Sequence, residues 1–349
     1  MEQISFKIRF ITPLLIHGAS SREADGIGLT GKALRGCWRF WFRAIVGGIV
    51  KNISKEELLE LESSVFGSSD ENIGAKFRIL IEEEVTTRQK DRFYLGFKYK
   101  KGKKAGQRAA SHGYEEGLVN KIKILPRTKT FPEKDILLSS IWLWGNLGGI
   151  GQRARRGFGS PMIESGDNKK SFKIIIESMN KELTFTSQFS ESENLREHLR
   201  NGLNIVWQTF SQWFNNKGQK ISGDITINNI PTYQNYFIIN SLKQILVGNK
   251  PYGYEIAIKN AHGSNQCESL GWARGNSRMA SPIYTRFFEI NDGLLPVITW
   301  CKQKVNNHEV PEKDCFIKYL KGGKCSTHNA QFAGLDCTTN LKGDPISGR

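Results

Sequence analysis

The chain has 349 residues, of which 38% are apolar and 24% charged, a composition for a globular fold of about two domains and not for a disordered chain. No window approaches the run of about 20 apolar residues that a membrane helix needs, and the opening MEQISFKIRF reads as a strand without a signal peptide ahead of it, so a cytoplasmic protein without membrane contact is expected. Lysine and arginine number 50 against 34 aspartates and glutamates, and the formal charge of +16 favours a polyanionic partner.

Residues 4–11 alternate, with Ile4, Phe6, Ile8 and Phe10 on one face and Ser5, Lys7 and Arg9 on the other, as in a half-buried strand. A polar loop follows to Thr30, a suitable N-cap for a helix running to about Gly48. An acidic helix covers about 54–62, and KFRILIEEEV at 76–85 reads as a strand. The stretch 88–120 contains five glycines and little apolar periodicity, which predicts a mobile loop or a hairpin. KIKIL at 121–125 is a short strand, Glu133 to about Leu147 a buried helix, and SFKIIIE at 171–177 another strand. Strand, helix, strand, strand, helix, strand is the order of a ferredoxin-like βαββαβ unit, shared with RNA-recognition domains.

The second half opens with a helix at about 192–214, where Leu195, Leu199, Leu203, Val206, Trp207, Phe210 and Phe214 recur at helical spacing and read as core. Helical signal continues around 237–247, and strand-like stretches appear at 253–258, 283–290 and 294–300, the last two separated by Asn291-Asp292-Gly293. The expected fold is α+β, two ferredoxin-like domains with insertions. The first would cover 1–180 with a basic insertion at about 88–120, and the second, more divergent, 181–349 with a C-terminal extension.

Charge is segregated. Residues 88–108 carry nine basic groups, Lys98, Lys100, Lys101, Lys103 and Lys104 among them, against one acid, whereas 54–84 carry nine acids and three bases. In TGKALRGCWRFWFRAIVGG (30–48), Lys32, Arg35, Arg39 and Arg43 fall within an arc of about 80° at helical geometry, and apolar residues fill the rest of the circumference. No carboxylate lies between Gly31 and Lys55. That cationic stripe suits phosphates; the alternative is pairing with acids elsewhere, such as the 54–84 segment. Gly36 beside it permits close approach of another backbone.

In GGIGQRARRGFGSP (148–161) five glycines surround Arg153, Arg155 and Arg156. Glycines let backbone N–H groups approach phosphate oxygens, and guanidiniums bind them in bidentate fashion. A structural turn is the other reading. No Gly-Lys-Ser/Thr follows, so the loop is not a nucleoside-triphosphate cradle.

Gly149-Ile150-Gly151, five residues, then Gly157-Phe158-Gly159 resembles the glycine-rich loop of the RAMP superfamily of CRISPR proteins. FITPLLIHGA (10–19), GLTGKALRGCWRFWFRAIVGG (28–48), VFGSS (65–69), RRGFGS (155–160) and RMASPIYTRF (278–287) are similar to the branch that supplies the first subunit of type III-B (Cmr) RNA-guided effector complexes. The resemblance covers most of 1–180 and about twenty residues beyond 270. It implies a non-catalytic, RNA-binding structural subunit of an antiviral complex near the 3′ end of the guide. Guide RNA, target RNA and the other subunits would be its partners, and Lys32, Arg35, Arg39, Arg43, Arg153, Arg155 and Arg156 its RNA contacts.

The competing function is a ribonuclease using His17 or Asp25, which follow the first strand. General acid–base cleavage needs a second titrating group, and no other histidine lies close to His17 in sequence. Of six cysteines, Cys315, Cys325 and Cys337 gather near His328 with C-x9-C-x2-H-x8-C spacing, irregular for zinc. Reduced thiols are the expectation, with no metal or other cofactor.

Overall fold

The computed structural model describes residues 2–17, 27–50, 53–70, 72–83, 91–98, 108–165, 171–186, 188–217, 241–262, 267–274, 277–291, 293–305 and 308–337. The alternating segment forms β1 (Ile4–Phe10), with Phe6, Ile8 and Phe10 buried. Helix α1 (Gly31–Ile49) starts where the Thr30 hydroxyl accepts the Ala33 N–H at 3.2 Å. Ser54 and Glu57 form a reciprocal capping box at the head of α2 (Lys55–Phe66), satisfying N–H groups that the helix itself cannot. The helix runs one turn beyond the expected 62.

Strand β2 (Phe77–Glu83) is followed by β3 (Asp91–Lys98) and β4 (Arg108–Gly113), which pair as a hairpin in the basic stretch. Strand β5 (Val119–Pro126), α3 (Lys134–Leu147) and β6 (Pro161–Glu164) complete the first half. The four main strands make one antiparallel sheet in the order β2-β5-β1-β6. Helix α3 is buried from Asp135 to Leu147, as its apolar run requires.

The closing strand of this sheet differs from expectation. It is β6, with Pro161 opposite Phe10, and not 171–177. Only four residues long, β6 carries no readable periodicity, and it stands at the sheet edge, where a proline is tolerated. Residues 171–176 instead form β7 (Ser171–Ile176), which pairs with β8 (Lys181–Thr186) around the turn Glu177–Met179.

In the second half, α4 (Ser192–Asn216) buries the predicted stripe apart from the half-buried Trp207. Next come β9 (Ser241–Val247), α5 (Tyr254–His262), the short pair β10 (Trp272–Arg274) and β11 (Ser277–Met279), and the long hairpin β12 (Ile283–Ile290) and β13 (Gly293–Val305). Strand β14 (His308–Val310), α6 (Lys313–Lys321), β15 (Gly323–Lys324) and β16 (Gln331–Phe332) end the described chain. Strand β9 pairs β13 on the edge opposite β12, and β14 pairs its last three residues.

Two assignments reverse here. The 237–247 signal is the strand β9 over 241–247, where Ile245, Leu246 and Val247 are a short apolar run that pairing with β13 resolves. Of the strand-like 253–258, all but Gly253 lies in α5, which buries Ala257 and Ala261, four residues apart, and leaves Ile256 54% exposed.

One apolar core runs from Phe6 to Cys301, through α1, α3 and α4 and onto β9, β12 and β13. The boundary expected at 180 falls in the turn of the β7–β8 hairpin. A smaller core around α6 collects Leu270, Trp300, Phe316 and four cysteines. Among the described residues no helix is long and apolar enough to cross a membrane.

Candidate nucleic-acid interface

The cationic stripe of α1 divides along its length. Toward the C-terminal end, Arg43 donates two hydrogen bonds to the carboxylate of Glu62 on α2, one of them at 2.9 Å. Arg39 lies 3.3 Å from the same carboxylate and also donates to the Gly67 carbonyl. The Glu62 side chain is only 4% exposed, so two guanidiniums neutralise one buried acid. This is the pairing with the 54–84 segment that the sequence left open.

Toward the N-terminal end the arrangement is different. Lys32 is exposed. The guanidinium of Arg35 sits 5.2 Å above the Phe77 ring, and its Nε is buried with no hydrogen-bond partner among the described residues. Burial, and then the charges of Arg39 and Arg127, push the Arg35 pKa down. Gly36 is exposed, and a Cβ there would meet nothing within 4 Å. This end of the helix is open to a neighbour that brings negative charge.

The glycine-rich loop closes on the segment after β1. Gln152 N–H donates to Leu15 O at 2.6 Å, Gly159 N–H to Pro13 O at 2.9 Å and Ile150 N–H to Gly159 O at 3.1 Å. Its glycines make room for protein. A Cβ on Gly157 (φ +85°) would lie 2.2 Å from the Phe287 ring, and one on Gly159 (φ +59°) 2.1 Å from the Ile150 carbonyl.

Two of its arginines turn toward the second half of the chain. Arg155 donates to the Ser281 carbonyl and stacks 4.5 Å from the Tyr284 ring centre. Arg156, 8% exposed, donates to the Leu270 carbonyl at 2.7 Å and lies 5.6 Å from the Tyr319 ring. Thr285 N–H donates to the Arg155 carbonyl at 3.1 Å. Arg153 holds a left-handed backbone (φ 60°), and burial, then the charge of Arg156, lowers its pKa to about 10.

Lys100, Lys101, Lys103 and Lys104 lie outside the described residues, as does Asp25, and of Lys98 only the backbone, in β3, is described. His17 Nε2 is 2.9 Å from the carbonyl of His112 on β4, a histidine that the sequence kept far from it.

Sequence reasoning missed the residues that join the halves. Arg9 binds Glu164 at 3.0 Å and Glu289 at 2.8 Å. Arg286, 2% exposed, donates to the Asn146 carbonyl at 3.3 Å and to the Pro161 carbonyl, with its guanidinium 3.6 Å from the Phe288 ring centre. The available signal was Arg286 itself, a lone cation in the apolar strand IYTRFFEI.

Residues 7–162 match the model of the RAMP superfamily. The CRISPR system Cmr subunit Cmr1-2 of Pyrococcus furiosus is 27% identical over 190 residues, covering 47% of this chain and 96% of that protein. Cmr1-1 of the same organism is 25% identical over 212 residues, covering 58% of this chain and 56% of its own. The crystal structure of Cmr1 from P. furiosus in the apo form superposes with a TM-score of 0.53 at 18% identity, over 90% of this chain and 92% of the other. A chain of the cryo-EM structure of the type III-B Cmr-β bound to cognate target RNA gives a TM-score of 0.54 at 12% identity, over 85% and 94%.

Proposed function

Because the chain carries a RAMP superfamily domain over residues 7–162, we propose that it is a non-catalytic, RNA-binding structural subunit of a type III-B (Cmr) CRISPR effector complex. It acts inside the cell, contacts guide or target RNA near the guide 3′ end, and docks against the other subunits. The relatives named as Cmr1 subunits support the place in the complex, and the relative bound to cognate target RNA supports the partner.

The observation that carries RNA contact to particular residues is Arg35. A half-buried guanidinium that sits over a ring among like charges gains from a phosphate oxygen the counter-charge that none of these neighbours supplies. Lys32 extends that contact, the exposed edge of Arg43 and the half-buried Arg39 add positive potential along the same helix, and the half-buried Arg153 is a further candidate in the loop. The lysines of the β3–β4 stretch are further candidates. Arg155 and Arg156 serve better as fasteners of the loop. His17, held at the His112 carbonyl, suits a structural role and not a general base.

The strand order β2-β5-β1-β6 supports a ferredoxin-like first domain. We divide it from the second, divergent domain after β8, since a hairpin is not cut at its turn.

The test compares two double variants for binding to single-stranded RNA across a salt series. Lys32→Ala with Arg35→Ala should weaken binding for every sequence and flatten log K against log salt by about 1.4, at about 0.7 per lost contact. Its melting temperature should hold. Arg155→Ala with Arg156→Ala should lower the melting temperature first. Unchanged affinity and salt slope in the folded Lys32/Arg35 variant would remove α1 from the interface.

A further inference from the structure

Four ligand-type side chains converge beneath the glycine-rich loop, from parts of the chain far apart in sequence. Cys267 precedes the turn Glu268–Leu270, Cys315 lies in the first turn of α6, and Cys325 and His328 flank the bend between β15 and β16. Their Sγ and ring nitrogen atoms all lie within 4.8 Å of one another, with the three sulfurs buried. Cys315 Sγ is 2.6 Å from Cys267 Sγ, 2.7 Å from Cys325 Sγ and 3.1 Å from His328 Nδ1. The spacing that the sequence offered included Cys337, but Cys337 Sγ instead faces the Leu335 carbonyl at 3.6 Å. The true fourth member stands 48 residues ahead of Cys315, where no local pattern reveals it.

We propose that Cys267, Cys315, Cys325 and His328 bind one structural zinc ion. Three thiolates and an imidazole are a donor set that closes a tetrahedron around zinc, with bonds of about 2.3 Å to sulfur and about 2.0 Å to nitrogen. Edges of such a tetrahedron are about 3.4–3.8 Å, inside the observed spread. A disulfide does not account for the group, because Cys315 is equally near two sulfurs and a disulfide would leave the third thiol and the imidazole facing it.

The surroundings fit. The Ser269 hydroxyl is 3.1 Å from Cys267 Sγ, and Glu312 Oε1 is 3.9 Å from His328 Nε2, outer contacts that orient ligands. Asp314 accepts both the N–H and the hydroxyl of Ser326 at 2.8 Å, fixing the C-x2-H bend to α6. The ion would staple a core too small to hold its short strands by burial alone. It would also brace the loop, because Leu270 and Tyr319, the partners of Arg156, belong to this same core.

The experiment is elemental analysis of the full chain purified without chelator. About one zinc per chain is expected in wild type and in Cys337→Ala, with near-total loss in Cys267→Ala and Cys325→Ala. Because a ligand variant could unfold, wild type is also stripped with a chelator and titrated with Co²⁺. A tetrahedral thiolate spectrum saturating at one equivalent supports the site. Wild type that contains no zinc, takes up no Co²⁺ and exposes its thiols to a titrant identically with and without Zn²⁺ overturns it, as does unchanged zinc in Cys267→Ala.

Discussion

Helix α1 carries arginines held by different forces, and substitution separates them. Glu62 is the shared acid of Arg39 and Arg43, and neutralising it strands two guanidiniums beside a buried amide. Glu62→Gln should cost about 2 kcal/mol, below the usual cost of breaking a fully buried pair because both arginines reach water. Urea unfolding checks it, and a loss under about 0.5 kcal/mol would class the pair with ordinary surface ion pairs. Among the described residues Arg35 has only a ring contact to lose, so Arg35→Ala alone should cost less than about 1 kcal/mol while weakening RNA binding. Next to it, Gly36→Ala should stabilise the free protein by about 1 kcal/mol, since the methyl enters open space and alanine favours the helix. A lower melting temperature would show that the backbone there needs glycine.

At the scale of elements, Gly157 gives the clearest case. Its φ of +85° and the Phe287 ring 2.2 Å from a Cβ mean that Gly157→Ala strains the backbone and displaces a core ring of β12. A loss of about 3 kcal/mol is expected in chemical denaturation, combining conformational strain with overpacking. An alanine variant as stable as wild type would mean that the loop detaches easily from β12. The same loop marks how far sequence carries. That three arginines stand among glycines at 149–159 is plain in the chain, but which way Arg155 and Arg156 point is set by Leu270, Ser281 and Tyr284, more than a hundred residues away. Elements with local grammar were legible: α1 through Thr30, α2 through its acidic helical stretch, β1 through its alternation. Those decided by distant partners were not. Strand β6 exists because β1 offers an edge, and β9 and α5 exchange their apparent characters because β13 recruits one short apolar run and not the other. Likewise Cys267 joins Cys315 only once the second half has folded.

Across the whole molecule, the halves are joined by polar groups taken out of water, which makes the junction sensitive to protonation. His198 on α4 meets Asn146 at the end of α3, with its Nε2 3.0 Å from Asn146 Oδ1, and packs edge-on against Phe189. Burial, and then the nearby charge of Arg286, lowers its pKa to about 4. The folded state therefore keeps the imidazole neutral at pH values where the unfolded chain, with a pKa of about 6.5, already binds a proton. Its contribution to stability is complete above about pH 6.5 and is lost progressively as the pH falls toward 4. A full shift of that size corresponds to about 3 kcal/mol, and the half-buried ring reduces this to about 1–2 kcal/mol through solvent screening. Melting curves from pH 4.5 to 7.5 at constant ionic strength should therefore rise more steeply for wild type than for His198→Gln, which keeps a donor for Asn146 without a titrating ring. The excess should be about 1.5–3 °C, at the unfolding entropy expected for a chain of this size. Parallel curves would mean that His198 takes up its proton in the folded protein as readily as in the unfolded one. The acid sensitivity of the junction would then belong to the carboxylates that bind Arg9.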